Sequence, residues 1–499
     1  MQKIPVTYPI AAALALLLGG CASTRSAPAE APAAEAPGKT AESRGDQGQP
    51  RKSDPNAAYA STYRALPSSP VLITNATILT AAGDRIERGS ILLQDGKIAA
   101  VGTALQAPAG ATVVDATGKW VTPGLIDAHS HLGVYPSPGD EANADGNEMT
   151  EPVTADVWAE HAVWPQDPQF PLALAGGVTA MQILPGSANL IGGRSVTIKN
   201  IPAQHVDQMK FPGAPHGLKM ACGENPKRVY GEKGRSPMTR MGNVSGYRRA
   251  WIDAAEYRRN RDRAGQDGES KGREGGEGRP FTRDLEKETL AGVLDGEILV
   301  QNHCYRADEM LTMIDISREF GYKITAFHHA VEAYKIADVL AREGICADIW
   351  ADSWGFKMEA LDGIPENAAI LFKAGACVVI HSDSAQVIQR LNQEAAKAMG
   401  VGRRMGLDIR SEDAIRWITL NPAKSMGVGD LTGSLEAGKM ADVVVWSADP
   451  FSVYSRAEKV YIDGALIYDR NDPAKQPRTD FELGLMDIGP MDGARGGDR

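Results

Sequence analysis

Two imidazoles stand one residue apart in Leu125-Ile126-Asp127-Ala128-His129-Ser130-His131, an apolar run that reads as a strand. On a strand, positions i and i+2 share a face, so His129 and His131 reach the same point and could hold one divalent ion. Three more residues of ligand type end strand-like runs: His303 after Glu297-Ile298-Leu299-Val300, His329 after the run 323–328, and Asp383 after Cys377-Val378-Val379-Ile380. Side chains at the C-terminal ends of parallel barrel strands converge on one mouth. Neutral imidazoles with a carboxylate suit zinc or a similar divalent cation, whose bound water is a nucleophile near neutral pH.

The elements that must position these groups alternate between strand and helix patterns. After His303, Met310, Met313, Ile316 and Phe320 recur at helical spacing. A strand from Lys323 to His328, a helix carrying Ile336, Val339 and Leu340, a strand from Ile345 to Trp350 and a helix from Asn367 to Ala374 follow. Strands separated by about one helix imply parallel pairing with right-handed crossovers. The expected class is therefore α/β; a closed barrel and an open doubly wound sheet both fit, and no glycine-rich dinucleotide fingerprint favours the second.

Short strand-like runs bracket this middle: Val71 to Leu79, Ser90 to Gln94 and Lys97 to Val101 before it, Asp442 to Trp446 and Val460 to Tyr468 after it. Asp95-Gly96 and Asp463-Gly464 are hairpin-turn pairs. One stretch, Arg228 to Leu285, breaks the rhythm. It reads as a long insertion on a barrel loop, an arginine-rich solvated face leading to a glycine-rich tip without packing, and as a candidate lid.

The 499 residues suffice for a large barrel with additions, and 43% hydrophobic with 23% charged residues belongs to a folded chain. A net charge of -10 argues against binding the phosphate backbone of nucleic acid. Residues 1–21 have the form of a leader: Lys3, an apolar run from Ile10 to Leu18, then Leu18-Gly19-Gly20-Cys21. Small residues before that cysteine resemble a bacterial lipobox, so Cys21 is the expected lipidation site and new N-terminus. Residues 22–60, rich in Ala, Pro, Glu, Gly and Ser, then form a flexible tether. The expected location is the periplasmic side of the outer membrane or the cell surface, with the lipid as the only contact to the membrane. The other four cysteines, Cys222, Cys304, Cys346 and Cys377, show no disulfide spacing and are expected as buried free thiols.

The chain resembles the amidohydrolase superfamily, and within it the imidazolonepropionase-related group. The resemblance rests on an ordered series: Val121-Thr122-Pro123-Gly124-Leu125-Ile126-Asp127-Ala128-His129-Ser130-His131, Gly176-Gly177-Val178-Thr179, His303-Cys304-Tyr305-Arg306-Ala307-Asp308, and His329-Ala330-Val331-Glu332-Ala333-Tyr334. It continues through His381-Ser382-Asp383-Ser384, Asn421-Pro422-Ala423 and Gly433-Ser434-Leu435-Glu436-Ala437-Gly438-Lys439-Met440-Ala441-Asp442. It implies a (β/α)8 barrel over 119–432, and a small β-sandwich made by the flanks 61–118 and 433–475, with 476–499 as a tail. It also implies roles: His129 and His131 on one metal, His303 and His329 on another, and Asp383 as ligand and proton shuttle. Of the adjacent pair His328 and His329, similarity to the strand-six motif, with its histidine three residues before Glu332, selects His329.

The resemblance leaves the bridging ligand open. A carboxylated Lys219 on strand four or Glu224 could supply it in a two-metal site, whereas imidazolonepropionases themselves have one metal. Glu224 stands first because it falls at the strand's C-terminal end and Lys219 at mid-strand. Candidate substrate contacts are Asn189, in the glycine-rich stretch Pro185 to Gly193, Tyr305 and His328; His381 is a candidate support for the neighbouring Asp383. The expected reaction is hydrolysis of a carbon–nitrogen bond in an amide, cyclic amide or dipeptide-like substrate. Deamination of a small nitrogen heterocycle and Xaa-Pro dipeptide cleavage are the alternatives.

Overall fold

The computed structural model describes residues 59–270 and 281–477, all within one unit, Ala58–Arg499. The leader 1–21 with Cys21, nearly all of the tether 22–60, the insertion tip 271–280 and most of the 476–499 tail lie outside the described residues.

Among the described residues five strands precede the barrel: β1 Val71–Ile78, β2 Ile86–Gln94, β3 Lys97–Gly102, β4 Thr112–Asp115 and β5 Trp120–Pro123. Three described strands follow it: β14 Val443–Trp446, β15 Ala457–Ile462 and β16 Ala465–Asp469. The two flanks join in one sheet of order β16-β15-β14-β5-β1-β2-β3, with β4 paired to β1. The seam is antiparallel, Trp120 opposite Trp446 and Pro123 opposite Val443. So β5, expected inside the barrel span, belongs to the flank sheet. In both hairpins the turn pair has positive φ, 53° and 75° at Asp95-Gly96 and 47° and 75° at Asp463-Gly464, as a two-residue turn matched to strand twist requires. The chain enters the barrel through Gly124, where a Cβ would lie 2.0 Å from Thr179 Oγ1.

The barrel strands are β6 Leu125–Ser130, β7 Val178–Ile183, β8 Ile191–Lys199, β9 Gly217–Ala221, β10 Leu299–Cys304, β11 Ile324–His329, β12 Cys346–Ile349 and β13 Cys377–Ile380. They form one eight-stranded, nearly closed sheet in sequential order from β6 to β13. Seven run in one direction, but β8 pairs antiparallel with both β7 and β9, which corrects the expected uniform repeat. The reason is the short link 184–190, which carries no helix and can only turn the chain back. At the open seam the Asp127 carboxylate on β6 accepts from Ser382 N at 3.2 Å and from Ser382 Oγ, and Asp383 N donates to His129 O at 3.1 Å.

Helices α1 Gln169–Ala175, α2 Glu224–Glu232, α3 Arg240–Ser270, α4 Leu285–Leu294 and α5 Ala307–Phe320 pack outside the first strands. The Arg228 to Leu285 region is thus largely helical where it is described. Tyr247 and Trp251 of α3 are buried in the main core, Trp251 lying 4.3 Å from the Tyr322 ring. Tyr247 Oη donates to Ala221 O, and Asn243 Nδ2 donates to Gly223 O at 3.0 Å, so α3 ties down the end of β9.

The four cysteines among the described residues are paired, Cys222 with Cys304 and Cys346 with Cys377, at Cα–Cα distances of 5.1 and 4.5 Å. This corrects the expectation of free thiols. The partners lie 82 and 31 residues apart along the chain, and adjacency of barrel strands, which spacing does not show, brings them together.

Candidate metal centre

Alternation along β6 sends Asp127 and His129 inward, and His131 follows at the strand's end. His129 Nε2 lies 3.3 Å from His131 Nε2, 3.3 Å from Lys219 Nζ and 3.7 Å from Asp383 Oδ1. His131 Nε2 lies 3.3 Å from the same Asp383 oxygen. Donor atoms of His129, His329 and Asp383 fall within 4.8 Å of one another. His129, His303, His329 and Lys219 are buried, whereas the side chains of His131 and Asp383 keep 20% and 26% exposure and form the open face.

On β11, consecutive histidines would normally face opposite sides. Positive φ at His329 (69°) and Ala330 (34°) breaks the alternation, so His328 and His329 both reach the interior. Asp383 also has a left-handed backbone, φ 48°. Such strained conformations concentrate at functional sites because surrounding structure must enforce them. The His303 and His329 rings sit 4.6 Å apart, and Trp350 and Tyr305 stack on His329 at 4.4 and 5.3 Å. Lys357 Nζ caps the Tyr305 ring at 3.8 Å.

Burial pushes the imidazoles of His129, His303, His328 and His329 well below their ordinary pKa, with neighbouring Lys219 among the charges acting in the same direction. They are therefore neutral, the form that binds metal. Burial also lowers Lys219 to about 7. Burial opposes ionisation of Asp383, but the hydrogen bond and charge of His131 outweigh it and hold the carboxyl below its usual value. His131 Nδ1 donates to Leu184 O at 2.8 Å. Its Nε2 therefore faces Asp383 either as the second N–H of an imidazolium or across a cation.

A divalent ion fits these residues. Among the described residues, both nitrogens of His303 and of His381, and Nδ1 of His329, are buried without a hydrogen-bond partner. Such atoms are costly unless something binds them.

The other sequence candidates separate. Glu224 opens α2 and its Oε1 lies 3.5 Å from Lys357 Nζ, outside the histidine cluster, whereas mid-strand Lys219 points into it, so the expected order of the two is reversed. His328 is wholly buried with both nitrogens engaged inside the barrel, which corrects its reading as a substrate contact. Asn189 is corrected likewise: it is buried, donates to Glu148 O and Thr154 Oγ1 at 2.7 Å each and accepts from Tyr230 Oη at 2.6 Å. Tyr305 stays at the site as a buried ring against His329. Sequence reasoning gave no role to Trp350, Lys357 or Asp127, which accepts from Ser382 across the seam; only Asp127 carried a signal, as an acid inside an apolar strand.

A solved structure, an amidohydrolase from Thermotoga maritima MSB8, superposes with a TM-score of 0.73 at 38% identity, covering 80% of this chain and 100% of that one. The chain belongs to the amidohydrolase family. The family model itself matches residues 295–467 of this amidohydrolase. Amidohydrolase tasK of Hapsidospora irregularis is 36% identical over 402 residues, 77% of this chain. The chain spans only 39% of that relative's length. An imidazolonepropionase of Geobacillus sp. (strain WCH70) is 23% identical over 402 residues, 72% of this chain and 84% of the relative. Within this amidohydrolase, His129, His329 and Asp383 form a His/His/Asp set that could hold a divalent ion.

Proposed function

We propose that this amidohydrolase cleaves the carbon–nitrogen bond of an amide, cyclic amide or dipeptide-like substrate at a site holding two divalent ions, zinc foremost. The observation that carries the reading is the convergence of His129, His329 and Asp383 within 4.8 Å beside a buried lysine that has lost its preference for charge. His129, His131 and Asp383 would hold one ion and His303 and His329 the other. Lys219 would stand between them as a carbamate: its neutral Nζ attacks the carbon of dissolved CO2, an N–C bond forms and one proton leaves. When bound, the ions acidify a water and polarise the scissile carbonyl.

Asp383 faces the opening as an ionised carboxylate, placed to take the proton of the attacking water and deliver it to the leaving nitrogen. Tyr305 and Trp350 wall one side with apolar surface and hold the His329 ring in place. Metal analysis after reconstitution tests the site: two equivalents per chain are expected, and one or none sinks the two-metal reading. Chelation should abolish turnover and added zinc restore it. Asp383→Asn should lower kcat by about 10²- to 10⁴-fold with an unchanged fold; retained turnover removes Asp383 from the mechanism. A panel of dipeptides, cyclic amides and amino-heterocycles, read for new amine against free ammonia, decides hydrolysis of an amide over deamination.

We also propose export and anchoring at Cys21; the two disulfides support an oxidising compartment. Cys21→Ser should move the protein from membrane to soluble fractions, and retention in membranes would reject the anchor.

A further inference from the structure

His328 lies below the metal centre rather than in it. Its Nδ1 faces His129 Nδ1 at 2.8 Å, and its Nε2 lies 2.8 Å from Gln301 Oε1. Gln301 in turn donates through Nε2 to the backbone carbonyl of Ser425 at 2.9 Å. That carbonyl can only accept, so the Gln301 amide is oriented with its oxygen toward His328. The oxygen can only accept as well, so His328 Nε2 must carry the proton. The ring is wholly buried and, among the described residues, no carboxylate is in hydrogen-bond reach, Asp348 Oδ2 being 3.7 Å from Nδ1, so the ring is neutral and carries one N–H. His328 Nδ1 is then a bare lone pair. Two nitrogens 2.8 Å apart form a hydrogen bond only when one donates, which makes His129 Nδ1 the donor.

We propose that His328 is a positioning residue that selects the tautomer of His129 and so aims the lone pair of His129 Nε2 at the metal centre. The relay runs Ser425 O, Gln301, His328, His129, each link within 2.9 Å. It does for His129 what Leu184 O does directly for His131. An imidazole that donates from one nitrogen becomes the better ligand through the other, which is why such partners tune metal affinity. The inference rests on the metal reading above in what it does for affinity, but the tautomer itself does not.

Two substitutions separate this role from bulk. In His328→Asn the Oδ1 takes the place of Nδ1 and accepts the His129 proton; His328→Phe fills the volume and accepts nothing. With zinc alone as probe and a competing chelator, His328→Phe should bind about 10- to 100-fold more weakly, and His328→Asn should return to within a few-fold of wild type. Wild-type affinity in His328→Phe, or Asn binding more weakly than Phe, overturns the proposal while leaving the metal site standing. A wild-type protein that binds no zinc sinks the metal reading. Should either variant fail to fold, ¹⁵N-histidine spectra of the metal-free wild type decide the tautomer: protons on His129 Nδ1 and His328 Nε2 support the proposal, and the opposite pair overturns it.

Discussion

Lys199 and Lys219 stand on neighbouring strands and are both buried, at 0% and 1% exposure, yet their surroundings differ entirely. Lys199 ends β8, and because β8 runs against its neighbours this end lies opposite Ala180, near the start of β7, at the bottom of the barrel. There it meets Asp463 Oδ1 at 2.6 Å and Asp442 Oδ1 at 3.0 Å, and Thr432 Oγ1 donates to Asp442 at 2.9 Å. Lys219 faces His129 Nε2 at 3.3 Å and, among the described residues, has no carboxylate oxygen within 4.0 Å. Burial alone therefore does not make a lysine chemical. A buried ammonium with two carboxylates ties elements together, and a buried lysine without one gives up its proton and becomes a nucleophile or ligand precursor.

The comparison breaks most visibly at Lys199. Lys199→Met leaves two carboxylates buried and unpaired, and should cost about 3–5 kcal/mol in denaturant unfolding while metal content per folded molecule stays the same. A variant of wild-type stability would show that the pair contributes nothing. Lys219→Met should do the reverse. Turnover should fall beyond the roughly 100-fold upper end for outer-shell partners, with the unfolding midpoint kept or raised, because an apolar chain replaces a desolvated amine. A loss of stability matching that of Lys199→Met would make Lys219 structural.

The smallest effect is a pH slope in the metal-free protein. Lys219 titrates near 10.5 when unfolded and at about 7 when folded. Between those values the unfolded chain binds a proton that the folded chain does not, so the cost of burying Lys219 is full below about pH 7 and is relieved as pH rises from about 7 toward 10.5. The difference between wild type and Lys219→Met should follow that slope across pH 7 to 10, and parallel curves would show that Lys219 is not desolvated.

Much of the site is legible along the chain. His129 and His131 share a face because strands have a period of two, and His303, His329 and Asp383 each follow an apolar run, so their position at strand ends needs no tertiary information. The hairpins at Asp95-Gly96 and Asp463-Gly464 are equally local, since both residues of such a turn need positive φ. Distance along a strand is not direction: Lys219 sits mid-strand, yet its long side chain reaches His129, whereas Glu224 at the strand's end meets Lys357. A polar residue in a glycine-rich loop is as easily bound inward as outward, and Asn189 is bound inward to Thr154 and Tyr230.

The sequence by itself determined the donor types, the strands that carry them and the turns that end those strands, because these depend on residues within a few positions of one another. Only the tertiary structure decided that β8 is reversed, that Cys222 meets Cys304, that Lys199 finds two carboxylates and Lys219 a histidine, and that His328 turns inward behind His129. Each of these depends on which strands become neighbours as the barrel curls round, and partners brought together that way stand tens to hundreds of residues apart along the chain.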